Sequence, residues 1–188
     1  MESKLSLSNR MTSARDEMSP SDVESASREI CHRVLLMEEF RTGLRIGLYA
    51  AFKNEVRTDL LFQEGDRRRK EMYFPAVDKE AGELDYFRVM KLEDLLPTDA
   101  GMREPTAKQS RLRDLNTLNV LIVPGVAFDM RGGRLGFGKG FYDKCLESFR
   151  GKRVALAYDF QVVPDLPSSA RGRKVDWIVT EKRIVRCQ

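Results

Sequence analysis

The sequence is short of the residues that build catalytic triads, metal cages and disulfide frameworks: it has one histidine and three cysteines. Cys31, Cys145 and Cys187 are odd in number and widely spaced, which excludes a disulfide framework and a structural zinc pattern. His32 lies in a polar helical stretch with no nucleophile signature beside it, so Ser-His-Asp chemistry has no histidine to use. No apolar run approaches the roughly 18 residues of a membrane helix. The start, Met1 to Arg10, is polar and has no secretory stretch, which predicts a cytoplasmic protein with no membrane partner. A strong charge of one sign is also missing, since 33 Lys and Arg face 29 Asp and Glu for a formal +4. That balance suits an anionic ligand and is too weak to argue by itself for nucleic acid. The densest cluster, Arg67-Arg68-Arg69-Lys70, reads as a solvated turn between two elements.

What is present is enough apolar material, 41% of 188 residues, for one core of ordinary size. The expectation is a single domain over residues 1–188, with N-terminal helices in 4–40 packing against a sheet. Lys4 to Glu17 reads as a first helix. Ser19-Pro20-Ser21-Asp22 starts a second: a hydroxyl cap, Pro at the first helical position and an acid in the first turn. Val23, Ala26, Ile30, Val34 and Met37 then recur at helical spacing up to about Phe40. Thr58 to Glu64 reads as a short helix capped by Thr58 and ended at Gly65. Gly140 to Arg150 reads as another.

Strands are expected at Arg45 to Phe52, at Glu71 to Phe74 stopped by Pro75, and at Leu84 to Met90. Three short apolar runs, Leu118 to Val123, Val154 to Tyr158 and Trp177 to Thr180, have the pattern of strands buried on both faces. Leu95 to Arg113 reads as loop. Helical stretches alternating with such runs predict an α/β fold of three layers, a central mixed sheet with helices on both faces.

Six of the 13 glycines fall between Gly125 and Gly140. The segment Gly133-Arg134-Leu135-Gly136-Phe137-Gly138-Lys139-Gly140 follows a buried strand and precedes a helix, and it matches most of a phosphate loop, G-x-x-x-x-G-K. Backbone N–H groups and a helix start can face an anion there, with Lys139 and Arg134 adding charge. A Walker loop needs Ser or Thr after the Lys to hold Mg²⁺, and this chain has Gly140. The nearest carboxylate is Asp143.

The stretch Val123-Pro124-Gly125-Val126-Ala127-Phe128-Asp129, then Arg134-Leu135-Gly136-Phe137-Gly138-Lys139-Gly140-Phe141-Tyr142-Asp143, resembles the signature of the 5-formyltetrahydrofolate cyclo-ligase family. Lys4, Leu7 and Arg15 resemble the family's first helix, Tyr49 and Asn54-Glu55-Val56-Arg57-Thr58 its substrate-side segment, and Glu104-Pro105, Gln161, Pro167 and Val175-Asp176 later elements. The resemblance implies an enzyme that uses Mg-ATP to close 5-formyltetrahydrofolate to 5,10-methenyltetrahydrofolate, acting as a monomer on small molecules.

The same resemblance implies that ATP meets Lys4, Ser8 and the run Arg134, Leu135, Gly136, Phe137, Gly138, Lys139, Gly140, Phe141 and Tyr142. Lys139 and Arg134 are then the catalytic charge partners of the phosphates. Tyr49, Phe52, Glu55 and Tyr142 border the pterin, and Asp143 and Asp176 hold Mg²⁺. The chain departs from the pattern at Ser8, where Arg is usual, at Phe141, where Tyr is common, and at Arg171-Gly172, where many bacterial members have His-Asp. Two other readings use the same residues: a nucleotide-binding regulatory protein that has lost catalysis, and an RNA-binding relative using the basic runs at 67–70 and 171–174.

Overall fold

The computed structural model describes residues 2–138, 140–168 and 173–187. In chain order the helices and first strands are α1 (Lys4–Asp16), α2 (Pro20–Leu36), α3 (Glu38–Thr42), β1 (Arg45–Gly47), α4 (Asp59–Arg67), β2 (Glu71–Asp78) and β3 (Glu83–Arg88). Three two-residue strands follow, β4 (Leu96–Pro97), β5 (Arg103–Glu104) and β6 (Ser110–Arg111). The second half holds β7 (Val120–Val123), β8 (Ala127–Asp129), β9 (Arg134–Leu135), α5 (Phe141–Ser148), β10 (Lys152–Leu156), β11 (Val162–Val163), β12 (Trp177–Val179) and β13 (Ile184–Arg186).

Eight strands form the central sheet in the order β13-β12-β10-β7-β1-β2-β3-β6. The five inner strands, β12 to β2, run parallel, and β13, β3 and β6 pair antiparallel at the edges. The apolar runs in the sequence are continuous because each inner strand is covered twice. Val120 and Ile122 face one core with Ile30, Ile46, Leu61 and Val154. Leu121 and Val123 face the other with Cys145, Leu146, Phe149 and Ala155. Helices α2 and α4 supply the first layer and α5 the second, giving three layers. Each fully buried Leu, Ile or Val contributes about 1.5–3 kcal/mol, so the two faces together hold the sheet. A small third core joins Leu7 and Met11 of α1 to Val126, Ala127, Leu135 and Leu166. Helix α1 therefore lies on the small sheet β11-β8-β9 rather than on the central one.

The start of α2 follows the sequence: Ser19 Oγ accepts from the Asp22 N–H at 3.1 Å, with Pro20 in the first turn. Its end differs. Met37 steps into extended backbone (ψ 141°), and a separate α3 carries Phe40 inward. The strand expected through Phe52 stops at Gly47; Leu48 N–H makes a last bond to Tyr73 O, and the chain then leaves the ladder, where Tyr49 O accepts from the Thr58 hydroxyl at 2.6 Å. That bond also explains why Thr58 does not cap α4, which starts without a side-chain cap.

Gly65 does not end α4 either. A Cβ there would lie 2.5 Å from Met72 Sδ, so glycine lets the helix press on β2. The helix closes later, with Arg69 in the left-handed region (φ 56°) and Lys70 N–H reaching back to Gly65 O. Pro75 does not stop β2. Its nitrogen faces the side on which β1 has already ended at Gly47, so no ladder bond is lost. Segment 95–113, expected as loop, contains only the short bridges β4, β5 and β6.

Candidate active site

From β1 the chain passes through α4 to β2 on one side, and from β7 it passes through α5 to β10 on the other. The order of connection thus reverses between β1 and β7, and the carboxyl ends of such a strand pair open a crevice. Tyr49 follows β1 and Pro124-Gly125 follows β7, so both border it. A narrow cleft at this point is lined by Arg15, Tyr49, Glu55, Val56, Pro124, Gly125, Leu156 and Gln161.

Glu55 reaches the crevice through a tight turn. Lys53 takes a left-handed conformation (φ 51°), and the Phe52 N–H donates to Glu55 Oε2 at 3.0 Å. The other oxygen, Oε1, faces Arg15 Nη1 at 4.0 Å. Glu55 is 7% exposed and Arg15 only 2%. Burial pushes the Glu55 carboxyl above its usual range, opposed by the Phe52 N–H and by Arg15. Two unit charges 4 Å apart attract by about 4 kcal/mol at an effective dielectric of 20. Burying two ions costs several kcal/mol each, so this pair alone does not balance. Among the described residues, Arg15 Nε and Nη2 have no hydrogen-bond partner. Tyr49 is buried and its hydroxyl donates to Val56 O at 2.8 Å, so it lines the cleft as a ring. Phe52 is half-buried at the same turn.

The glycine loop comes over the same crevice. Phe137, 55% exposed, lies with its ring 5.2 Å from the Arg15 guanidinium. Gly138 and Gly140 have φ of 91° and 74°, and a Cβ on either would meet nothing within 4 Å. Backbone strain requires glycine there, and the open space leaves the loop approachable by a ligand. Arg134 is 3% exposed and largely engaged within the protein. It donates to Asp143 Oδ1 at 2.7 Å and to Pro124 O at 3.3 Å, and it lies 5.6 Å from the Tyr142 ring centre, leaving Nε unpaired. Burial raises the Tyr142 hydroxyl well above its usual range, and the Glu55 charge adds to that. The substrate-side turn and the loop therefore meet.

Other residues expected at the site fall elsewhere. The Leu135 side chain sits in the small core, and its carbonyl accepts from Val126 N–H. Lys4 is exposed and Ser8 half-buried on α1, and neither borders the cleft. Gly136 and Phe141 are half-buried in the loop and at the start of α5. Lys139, Arg171 and Gly172 lie outside the described residues.

Asp176 does not join Asp143. Its Oδ2 accepts from Arg153 N–H at 2.7 Å at the amino end of β12, opposite the crevice. Among the described residues no three His, Cys, Asp or Glu side chains gather as a metal cage. Arg15 is the residue that the family motifs marked without giving it a role. Its signal was legible: Leu7, Met11 and Arg15 recur every fourth residue as the buried stripe of α1.

Fold and crevice define an α/β protein whose candidate site opens at a topological switch point of the sheet. Comparison with known proteins narrows this. The model of the 5-formyltetrahydrofolate cyclo-ligase family matches residues 1–181, and the chain belongs to that family. It is 33% identical over 147 residues to the 5-formyltetrahydrofolate cyclo-ligase of Haemophilus influenzae, covering 76% of this chain and 79% of that one. A probable 5-formyltetrahydrofolate cyclo-ligase of Schizosaccharomyces pombe is 29% identical over 180 residues, covering 87% and 88%. Among solved structures, the 5,10-methenyltetrahydrofolate synthetase of Aquifex aeolicus superposes with a TM-score of 0.87 at 34% identity, covering 98% of this chain and 93% of that one. A 5,10-methenyltetrahydrofolate synthetase of Mycoplasma pneumoniae shares the fold, with a TM-score of 0.76 at 21% identity over 96% and 99% of the two chains. Among the described residues no helix is long and apolar enough to cross a membrane.

Proposed function

We propose that the protein catalyses the ATP-dependent cyclisation of 5-formyltetrahydrofolate to 5,10-methenyltetrahydrofolate, releasing ADP and phosphate. The observation that carries this reading is the meeting of two segments distant in sequence. The 49–56 turn and the 134–143 loop, which the family resemblance assigns to folate and to ATP, face each other across one crevice.

ATP supplies the phosphoryl group that makes the formyl oxygen a good leaving group. The chain's part is to position two substrates and neutralise charge in a dry cleft. Glu55 accepts from the N–H edge of the pterin, held in place by the Phe52 N–H. Tyr49, Phe52 and Tyr142 give the ring apolar surface. The open glycines at 138 and 140 and the start of α5 suit phosphate oxygens, with Lys139 as the loop's cation. Arg134 holds Asp143 rather than facing outward, which makes it a positioning residue.

For Mg²⁺ the residues fit a shell that is mostly substrate and water, since one or two carboxylates with phosphate oxygens suffice. Asp143 is the carboxylate that would hold it; its side chain is 42% exposed with one oxygen on Arg134. The metal would neutralise the transferring phosphoryl group.

The test is the rise of the methenyl chromophore when purified protein meets ATP, Mg²⁺ and 5-formyltetrahydrofolate, with one ADP formed per product. Nucleotide binding without product would instead favour the regulatory protein.

A further inference from the structure

Arg15 has no task in the reaction just described, yet it is the most deeply buried cation at the crevice. It is held there from the backbone. Asn54 Nδ2 donates to Arg15 O at 2.9 Å and to Met18 O at 3.2 Å, fastening the end of α1 to the turn that carries Glu55. The guanidinium has Phe137 over it at 5.2 Å and Glu55 Oε1 at 4.0 Å, which is too long for a hydrogen bond. Two of its donors, Nε and Nη2, are buried and unmet among the described residues. Such donors are rarely left unmet, and a ligand acceptor would satisfy them.

The chemistry of that ligand is constrained by Glu55. A phosphate on Arg15 would bring two negative charges against a buried carboxylate a few ångströms away, which repels. A neutral group with a carbonyl oxygen beside N–H donors meets both side chains at once: the oxygen takes the guanidinium, and the N–H groups face the carboxylate. The oxo-bearing edge of a pterin is such a group, with a ring N–H next to the ring carbonyl. A ring with an amino group in place of that oxygen sets donor against donor.

We propose that Arg15 is a specificity residue: it donates to the 4-oxo oxygen of the pterin while Glu55 accepts from the adjoining N–H groups, so that the pair selects 4-oxo over 4-amino pteridines. The proposal rests on the folate reading above and adds the edge of the ring that is read. A site built to hydrogen-bond one group rejects its mismatched analogue strongly, because buried partners are left unpaired.

The experiment measures dissociation constants by calorimetry on the full chain, for 5-formyltetrahydrofolate and its 4-amino counterpart without ATP, and separately for ATP. The wild type is expected to favour the 4-oxo ligand at least about tenfold, the scale of one buried donor left unsatisfied. Arg15→Met should bring the ratio close to one, with ATP affinity unchanged. A ratio that stays at the wild-type value overturns the proposal. So does a loss confined to ATP, which would make Arg15 a phosphate contact. If Arg15→Met does not fold, Arg15→Gln serves: its amide can turn an acceptor toward a 4-amino group, so the ratio should fall, and an undiminished ratio again overturns the proposal. The folate reading fails separately, by wild-type protein that binds neither ligand. Wild-type turnover without discrimination removes only the role of Arg15.

Discussion

Two buried arginines face one crevice in opposite conditions. Arg134 rises from the small sheet into a set of partners within the chain: Asp143, the Pro124 carbonyl and the Tyr142 ring. Arg15 comes from α1, equally buried, with Phe137 above it and Glu55 at 4.0 Å, and among the described residues two of its donors are unmet. Burial of a cation therefore does not tell its role. What distinguishes structural from ligand-directed arginine is how many of its donors the protein itself has met.

The comparison breaks if both arginines respond alike to truncation. Arg134→Met removes two hydrogen bonds and the packing around them, so we expect a loss of about 2–4 kcal/mol in folding stability. Arg15→Met exchanges a poorly paired buried ion for an apolar chain of similar size. Its stability should stay within about 1 kcal/mol of wild type. Urea melts of the two variants decide this, and equal losses would erase the distinction.

The next effect sharpens the Arg15 side. Glu55→Gln turns one acceptor into a mismatched donor and should weaken folate binding by about 1–3 kcal/mol, with ATP affinity unchanged. Equal losses for both ligands in a titration would make Glu55 a structural residue.

On the Arg134 side, Asp143→Asn keeps the shape and removes the charge. The Mg²⁺ concentration for half-maximal rate should rise by about tenfold, roughly 1.4 kcal/mol. Superimposable rate curves against Mg²⁺ would place the metal elsewhere.

The smallest effect is in pH. Burial raises the Glu55 pKa in the folded state above its unfolded value. The folded chain then holds that proton more tightly, so the group favours folding at low pH. Its contribution is lost as pH rises from about 4.3, the unfolded value, through the raised folded pKa. Glu55→Gln lacks this loss, so its stability relative to wild type should increase as pH rises above about 4.3. A difference that is flat with pH would contradict the raised pKa.

Much of this architecture was legible in the sequence where one force dominates. The runs at 118–123 and 154–158 announced strands covered on both faces, and Ser19-Pro20 announced the start of α2. Local signals misled where tertiary partners competed. The Thr58 hydroxyl looked like a cap and went to the Tyr49 carbonyl. Gly65 looked like a helix stop and was required by Met72. Pro75 looked like a strand stop but met no missing partner.

The site followed the same rule. Motif order located Glu55 and the glycine loop, but it could not show that Arg134 is already engaged or that Asp176 is held at the far end of the strands by Arg153. The role of Arg15 was hidden because its position on the apolar stripe of α1 acquires meaning only once Glu55 stands opposite.

The Asn54 clasp has a mechanical consequence. By gripping the carbonyls of Arg15 and Met18, it makes α1 a lever whose short arm ends at the substrate-side turn. Any shift at the end of α1 is therefore a shift of Arg15 and of the turn that carries Glu55 together.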